Sequence, residues 1–231
     1  MSSSSDHFEE FEDHTRLKHA ILGSYLGAWA MIHLQRLPRV AFFDAFAGAG
    51  RDAQGNPGSP LIALAAQARV DDARRAGKVG PTAEVMIALA EQNSTRFGHL
   101  AQTLADVGAS GNPAVHTFPR EWSLAAPGVR TLVGDAPLLT FLDPYGLKGL
   151  DATQYPALLA GPKDELFILV SLSGASRLAG VLRATPNDLA ARLERAQNQP
   201  ELYASKHPMA VEKMKESVSS ALARADLSSF M

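Results

Sequence analysis

The chain contains no cysteine among its 231 residues. That absence removes disulfides, thiolate zinc sites, iron–sulfur ligation and a cysteine nucleophile together. It fits a reducing compartment, and a cytoplasmic location is expected. An excess of one charge is also missing: 22 Lys and Arg stand against 24 Asp and Glu, a formal net charge of -2. Holding a duplex by bulk positive charge does not fit such a balance, although a local basic patch does. A secretory leader needs a basic start and an apolar middle. Here the chain opens Met-Ser-Ser-Ser-Ser-Asp-His and runs into the acidic segment Phe8 to His14. The most apolar early stretch, Ala20 to Ile32, falls short of the roughly 20 residues that cross a bilayer, so no membrane association is expected. The seven histidines show no metal-ligand spacing, and His14 and His19 are too far apart for one helix face. No metal site is expected. Ser171, Ser173 and Ser176 lack a Gly-x-Ser-x-Gly elbow and are poor nucleophiles.

What is present is core-forming material. With 46% hydrophobic and 20% charged residues, the chain has enough for one domain with appendages, or at most two small ones. Leu17, Ile21, Tyr25 and Trp29 recur every fourth residue and predict an amphipathic N-terminal helix. Gly23 and Gly27, also four apart, leave room for another element to pack closely on it. Arg39–Asp44, Glu84–Glu91, Ala114–Phe118, Pro137–Asp143 and Glu165–Leu172 read as strands. Most are apolar on both faces, and helical stretches separate them, which indicates a parallel sheet covered on each side. Ser59 is placed as the N-cap of a helix with Pro60 at its first position, and Asn93 or Ser94 caps another. The expected fold class is α/β, a doubly wound and mostly parallel sheet. The expected organisation is a disordered polar and acidic N-terminus over 1–13, a packed helix over 14–36, the α/β domain over 37–175 and a helical extension over 176–231.

Asp44-Ala-Phe-Ala-Gly48-Ala-Gly50 follows the first strand, where an open α/β sheet binds ligands. Its glycines allow a sharp turn and close approach of a ligand. Glu91 ends the next strand, and an acid there can accept both hydroxyls of a ribose. The separation of the two features exceeds the about 20 residues of a dinucleotide fingerprint, and the third glycine is absent, which disfavours a nicotinamide cofactor. The fourth strand ends Leu142-Asp143-Pro144-Tyr145-Gly146. The Asp143 carboxylate and the Pro144 carbonyl can both accept hydrogen bonds from an exocyclic amino group and aim its lone pair at an electrophile. Tyr145 offers a face on which a flipped base can stack. Asp-Pro and Tyr-Gly are also ordinary turn pairs. In register with Asp44 and Glu91, the functional reading moves ahead of a plain turn. Lys18, on the N-terminal helix, is read first as a solvated lysine, with a reach to the cleft or to a phosphate as the second reading. Arg74, Arg75 and Lys78 read as a solvated connector.

Together these segments carry a resemblance. Lys18-His-Ala-Ile-Leu-Gly-Ser-Tyr25-Leu, Phe43-Asp-Ala-Phe-Ala-Gly-Ala-Gly50, Gly58-Ser-Pro-Leu61, Phe141-Leu-Asp-Pro-Tyr-Gly146 and Phe167-Ile-Leu-Val-Ser-Leu-Ser173 resemble the three-Cys-motif partner proteins. That bacterial group has an S-adenosylmethionine methyltransferase-like fold. The pairing of Asp-x-Phe-x-Gly-x-Gly with Asp-Pro-aromatic is similar, more widely, to amino-methyltransferases. The Asp-Pro-Tyr-Gly here stands closer to the Asp-Pro-Phe-Gly of tRNA guanine-N2 dimethyltransferases than to the Asp/Asn-Pro-Pro-Tyr/Phe of adenine-N6 enzymes, which leaves the base open.

The resemblance implies that Asp44, Phe46, Gly48 and Gly50 contact S-adenosylmethionine on its methionine side and that Glu91 holds the ribose. It implies an adenine contact at Glu121, with Trp122 covering the ring, and a methyl acceptor facing Asp143, Pro144 and Tyr145. The expected activity is methyl transfer to an exocyclic amine of a nucleic-acid base. The alternative is a catalytically inactive partner of a three-cysteine-motif protein in a mobile-element or defence setting. A generic nucleotide binder is the third reading. A methyltransferase sheet of this type has seven strands, whereas only five are legible here. The last two strands are expected to be missing, which leaves an open edge at the fifth strand for a second copy or a companion chain.

Overall fold

The computed structural model describes residues 5–144 and 155–169. Tyr145 and the expected helical extension over 176–231 lie outside the described residues. Along the chain come α1 (Ser5–Leu34), β1 (Arg39–Asp44), α2 (Ser59–Arg75), β2 (Glu84–Ala90), α3 (Ser94–Asp106), β3 (Val115–Phe118), α4 (Trp122–Val133), β4 (Leu138–Leu142), α5 (Tyr155–Leu158) and β5 (Glu165–Ile168). The strands form one sheet in the order β3-β2-β1-β4-β5, and every pairing is parallel. This is the expected doubly wound α/β class, with Rossmann-like character and an N-terminal helix. Among the described residues no helix is long and apolar enough to cross a membrane.

Period-2 alternation divides the strands between two cores. Val40 and Phe42 of β1 join Val85, Ile87 and Leu89 of β2 and Leu139 and Phe141 of β4 under α1, α2 and α3. Ala41, Phe43, Met86, Ala88, Leu138 and Leu142 face α4 and α5 instead. On the first face, rings run from β1 out to α1. Phe42 stacks on Phe141 at 6.4 Å, Phe141 meets Phe167 edge-on at 5.4 Å, and Phe167 meets Tyr25 edge-on at 6.0 Å. Such pairs add about 0.5–1.5 kcal/mol each beyond area burial.

Local details refine the sequence reading. α1 takes in residues 5–13, which the sequence assigns to a disordered terminus. A Cβ placed on Gly23 would stand 3.2 Å from Ile62, and one on Gly27 3.3 Å from Arg69. The two glycines therefore serve the close approach of α2. The cap of α2 is Gly58 rather than Ser59. The Gly58 carbonyl accepts the first helical bonds from Leu61 and Ile62, both at 3.1 Å, which puts Ser59 inside the helix and frees its hydroxyl for another use. Asn93 caps α3, its side chain accepting from the Arg96 N–H at 3.0 Å. α4 forms despite Pro127 within it; its Pro-Gly pair is a turn signal in sequence, outweighed here by burial of Trp122, Ala125, Ala126, Val129 and Val133.

The chain leaves β1 toward β2 and β3, then returns to place β4 on the other side of β1. That reversal marks the switch point of the sheet at the carboxyl ends of β1 and β4, near which such sheets bind ligands. Asp44 ends β1, and Asp143 follows β4 directly.

Candidate functional site

The turn after β1 is pinned to both neighbouring strands: the Ala45 N–H donates to the Phe141 carbonyl at 3.0 Å, and the Ala47 N–H to that of Ala90 at 2.9 Å. Gly48 and Gly50 have φ of 61° and 81°, which L side chains rarely adopt. Their surroundings differ. Nothing lies within 4 Å of a Cβ placed on Gly48, and its N–H donates to Glu91 Oε2 at 3.1 Å. A Cβ on Gly50 would meet Thr103 at 2.9 Å. The Thr103 hydroxyl in turn donates to the Ala49 carbonyl at 2.9 Å. Gly48 thus faces open space, whereas Gly50 is a packing glycine held against α3.

Asp44 is fully buried. Its Oδ1 accepts the Phe46 N–H at 3.1 Å, while Oδ2 has no hydrogen-bond partner. Burial pushes its carboxyl up to about 7, and the carboxylates of Asp143 and Glu91 push the same way. The Ser59 hydroxyl and the Phe46 N–H act against them. Ser59 is close enough to favour the charged form, yet it makes no hydrogen bond of regular geometry. Near neutral pH the acid therefore sits between its two forms. It is also within electrostatic reach of both other acids at the strand tips.

Glu91, buried at the end of β2, accepts three donors. Gly48 N–H takes Oε2; the Asn93 N–H at 2.7 Å and Arg96 Nη2 at 2.9 Å both take Oε1. A carboxylate offers about four lone-pair sites, so one remains on Oε2. Beside it opens a cleft of about 250 Å³ whose lining includes Phe46, Glu91, Gln92, Arg96, Glu121 and Trp122. The structure thus brings Phe46, Glu91 and Glu121 together, with Trp122 buried beside them at the start of α4. Arg96 and Gln92 are absent from the sequence reading. The usable signal for Arg96 was its place in the first turn of a helix capped by Asn93, which swings it back toward Glu91.

At the tip of β4, Asp143 is half-buried. Its Oδ2 accepts Lys18 Nζ of α1 at 2.5 Å. Lys18 is therefore not a merely solvated lysine, as the sequence first suggests; it reaches across to the tip of β4. The adjacent His19 is held below the usual imidazole range, first by burial and then by the Lys18 charge, against the pull of Asp143 and Asp52. It is largely neutral at pH 7. Pro144 is buried.

Two further buried acids belong to the framework. The Tyr25 hydroxyl donates to Glu165 of β5 in a short hydrogen bond, tying α1 to the far strand. Burial, and then the Glu165 carboxylate, hold the Tyr25 phenol well above its usual range. Asp164 accepts Arg130 Nη2 at 2.7 Å and the Leu138 N–H at 2.9 Å, securing the segment that leads into β5.

No family model matches the chain, and no curated protein matches it. Among solved structures, a conserved hypothetical protein of Streptococcus pyogenes is similar at 17% identity and a TM-score of 0.35, over 58% of this chain and 71% of that one.

Proposed function

We propose that the protein binds S-adenosylmethionine and transfers its methyl group to an exocyclic amine of a nucleic-acid base. The observation that carries this reading is the convergence of Phe46, Glu91, Glu121 and Trp122 on one cleft beside the glycine turn. At about 250 Å³ the cleft lies just under the range of roughly 300–1,000 Å³ for small-molecule sites, a size suited to the nucleoside part of the cofactor. The donor set fits that part. Phe46 and Trp122 supply apolar surface, and Glu91 has an acceptor site free for a ribose hydroxyl. Arg96, which covers Oε1, is mostly exposed and can move aside for the second hydroxyl. Toward the methionine part, the open space over Gly48 admits a ligand.

When bound, the cofactor supplies an electrophilic methyl carried on sulfur. The chain's part is positioning. Asp143 accepts a hydrogen bond from the substrate amine, directs its lone pair along the line of attack and takes the proton that the nitrogen gives up as the N–C bond forms and the methyl–sulfur bond breaks.

Titration calorimetry with S-adenosylmethionine and S-adenosylhomocysteine tests the reading. Saturable heat with both is expected, and no heat with either at high protein concentration removes it. Asp143→Ala is expected to leave cofactor affinity within about twofold while abolishing methylation. Loss of cofactor binding in that variant would contradict the role given to Asp143. The second reading, a chain that keeps the fold for interaction with a companion only, is favoured by the closed Lys18–Asp143 pair. Failure of the titration would leave it in place.

A further inference from the structure

We infer that Lys18 is a selectivity residue that exchanges partners when substrate binds: the substrate amine takes its place on Asp143, and Lys18 moves to a backbone phosphate of the same polynucleotide. The inference rests on the proposed function and narrows its substrate to a polyanion that carries an uncharged amine.

The starting point is the occupied acceptor. Lys18 Nζ sits on Asp143 Oδ2, so an amine that uses this oxygen must displace it. Both side chains keep more than a quarter of the ammonium-bearing side, and a quarter of the carboxylate side, open to solvent, at 29% and 25% exposure. The displacement therefore needs no unfolding. The helix itself stays put, because Leu22, Tyr25 and Leu26, within the next two turns, are buried in the core. Only the flexible stem of Lys18 has to swing.

Among the described residues, the carboxylates at the other strand tips and toward His19 are buried or already hold donors. Asp44 is wholly buried. Glu91 is held by Gly48, Asn93 and Arg96. Asp52, which lies toward His19, already accepts the Gln54 and Asn56 N–H groups and the Asn56 side chain. A substrate that brings its own anion offers the ammonium a new partner, and a phosphate next to the reacting base is such an anion. The same exchange discriminates against protein amines. A lysine or N-terminal substrate brings its own cation, which would replace Lys18 like for like and leave two ammonium groups side by side with one carboxylate.

The two partners of this ion pair therefore have opposite expected effects on binding, which a merely structural bridge would not give. The measurement is fluorescence anisotropy of a mixed-sequence single-stranded oligonucleotide, over a salt series, with wild type, Lys18→Met, Lys18→Arg and Asp143→Asn. Lys18→Met is expected to weaken binding about fivefold and to lower the slope of log K against log salt by about 0.7, the share of one phosphate contact on a single strand. Lys18→Arg should retain most of the affinity and the slope. Asp143→Asn releases Lys18 and should tighten binding by a similar factor. Circular dichroism melts on the same samples establish that each variant is folded.

Shifts of the same sign in Lys18→Met and Asp143→Asn, no shift in either, or no oligonucleotide binding by wild type overturn the exchange. Calorimetry with S-adenosylhomocysteine on the same samples separates the two proposals. Cofactor binding without the opposite-sign pattern removes the exchange alone. The pattern without cofactor binding removes methyl transfer alone.

Discussion

Asp44 shows how one side chain couples the site to stability. Its carboxyl is pushed up to about 7 from an ordinary value near 3.8. Between those values the unfolded chain is ionised while the folded chain keeps its proton. Folding stability therefore falls as pH rises from about 4 to about 7 and is level on either side. Asp44→Asn preserves the acceptor for the Phe46 N–H and removes the titration. The variant is expected to melt close to wild type at pH 4 and to exceed it by on the order of a few kcal/mol at pH 8. Melting curves across that range check this, and the difference between the two proteins isolates Asp44 from His19, whose lowered value works in the opposite direction. A difference that fails to grow with pH would show that burial of this acid is not what sets it. The two glycines of the turn make a second contrast. Gly48→Ala meets only the backbone preference, about 1–2 kcal/mol, whereas Gly50→Ala adds a contact at 2.9 Å with Thr103. In urea titrations Gly50→Ala is expected to be the more destabilising of the two, by at least about 1 kcal/mol.

At the scale of elements, α1 belongs to the domain rather than to its periphery. It packs on α2 through Gly23 and Gly27, reaches β4 through Lys18 and reaches β5 through Tyr25. Tyr25→Phe keeps the ring against Phe167 and removes one donor to a buried carboxylate. A loss of roughly 1–3 kcal/mol is expected in urea unfolding, and a change below a few tenths would mean that the hydroxyl contributes little to docking the helix. Of these links, the sequence displays only the apolar stripe and the glycine pair. β1, β2 and β4 were legible because they are continuous apolar runs, each buried on both faces and ending at an acid. β3 was faint because Val115, His116 and Phe118 are only partly covered and Thr117 is exposed. α4 hid behind its Pro127–Gly128 pair. Glu121 comes only from the family resemblance, whereas the glycine turn and Glu91 were legible as strand-tip residues. The Lys18–Asp143 pair was not, because its partners lie 125 residues apart and only the strand order brings them together. Ser59 misled for a local reason: a serine before a proline reads as a cap, and the competing carbonyl of Gly58 leaves no trace in sequence.

For the molecule as a whole, the parallel sheet makes two cores from one set of strands. Alternate residues of β1, β2 and β4 serve opposite faces, so neither face can lose its packing without disturbing the strands that support the other. The chain has two tryptophans, and they divide between the cores: Trp29 on α1, its ring 5.0 Å from that of His33, and Trp122 on α4 at the edge of the cleft. Single-tryptophan variants therefore report each face separately. In both Trp29→Phe and Trp122→Phe, urea unfolding followed by fluorescence should coincide with that followed by far-ultraviolet circular dichroism, because the shared strands make one cooperative unit. Ligand response should not be shared. S-adenosylhomocysteine is expected to change the emission of Trp29→Phe, which keeps Trp122 at the cleft, and to leave Trp122→Phe unchanged, because the sheet stands between Trp29 and the ligand. A response confined to Trp29 would put the ligand on the α1 face, between the helix that carries Lys18 and the sheet. The cleft beside Glu91 would then have to be given up as the cofactor site, even if the calorimetric titration succeeded.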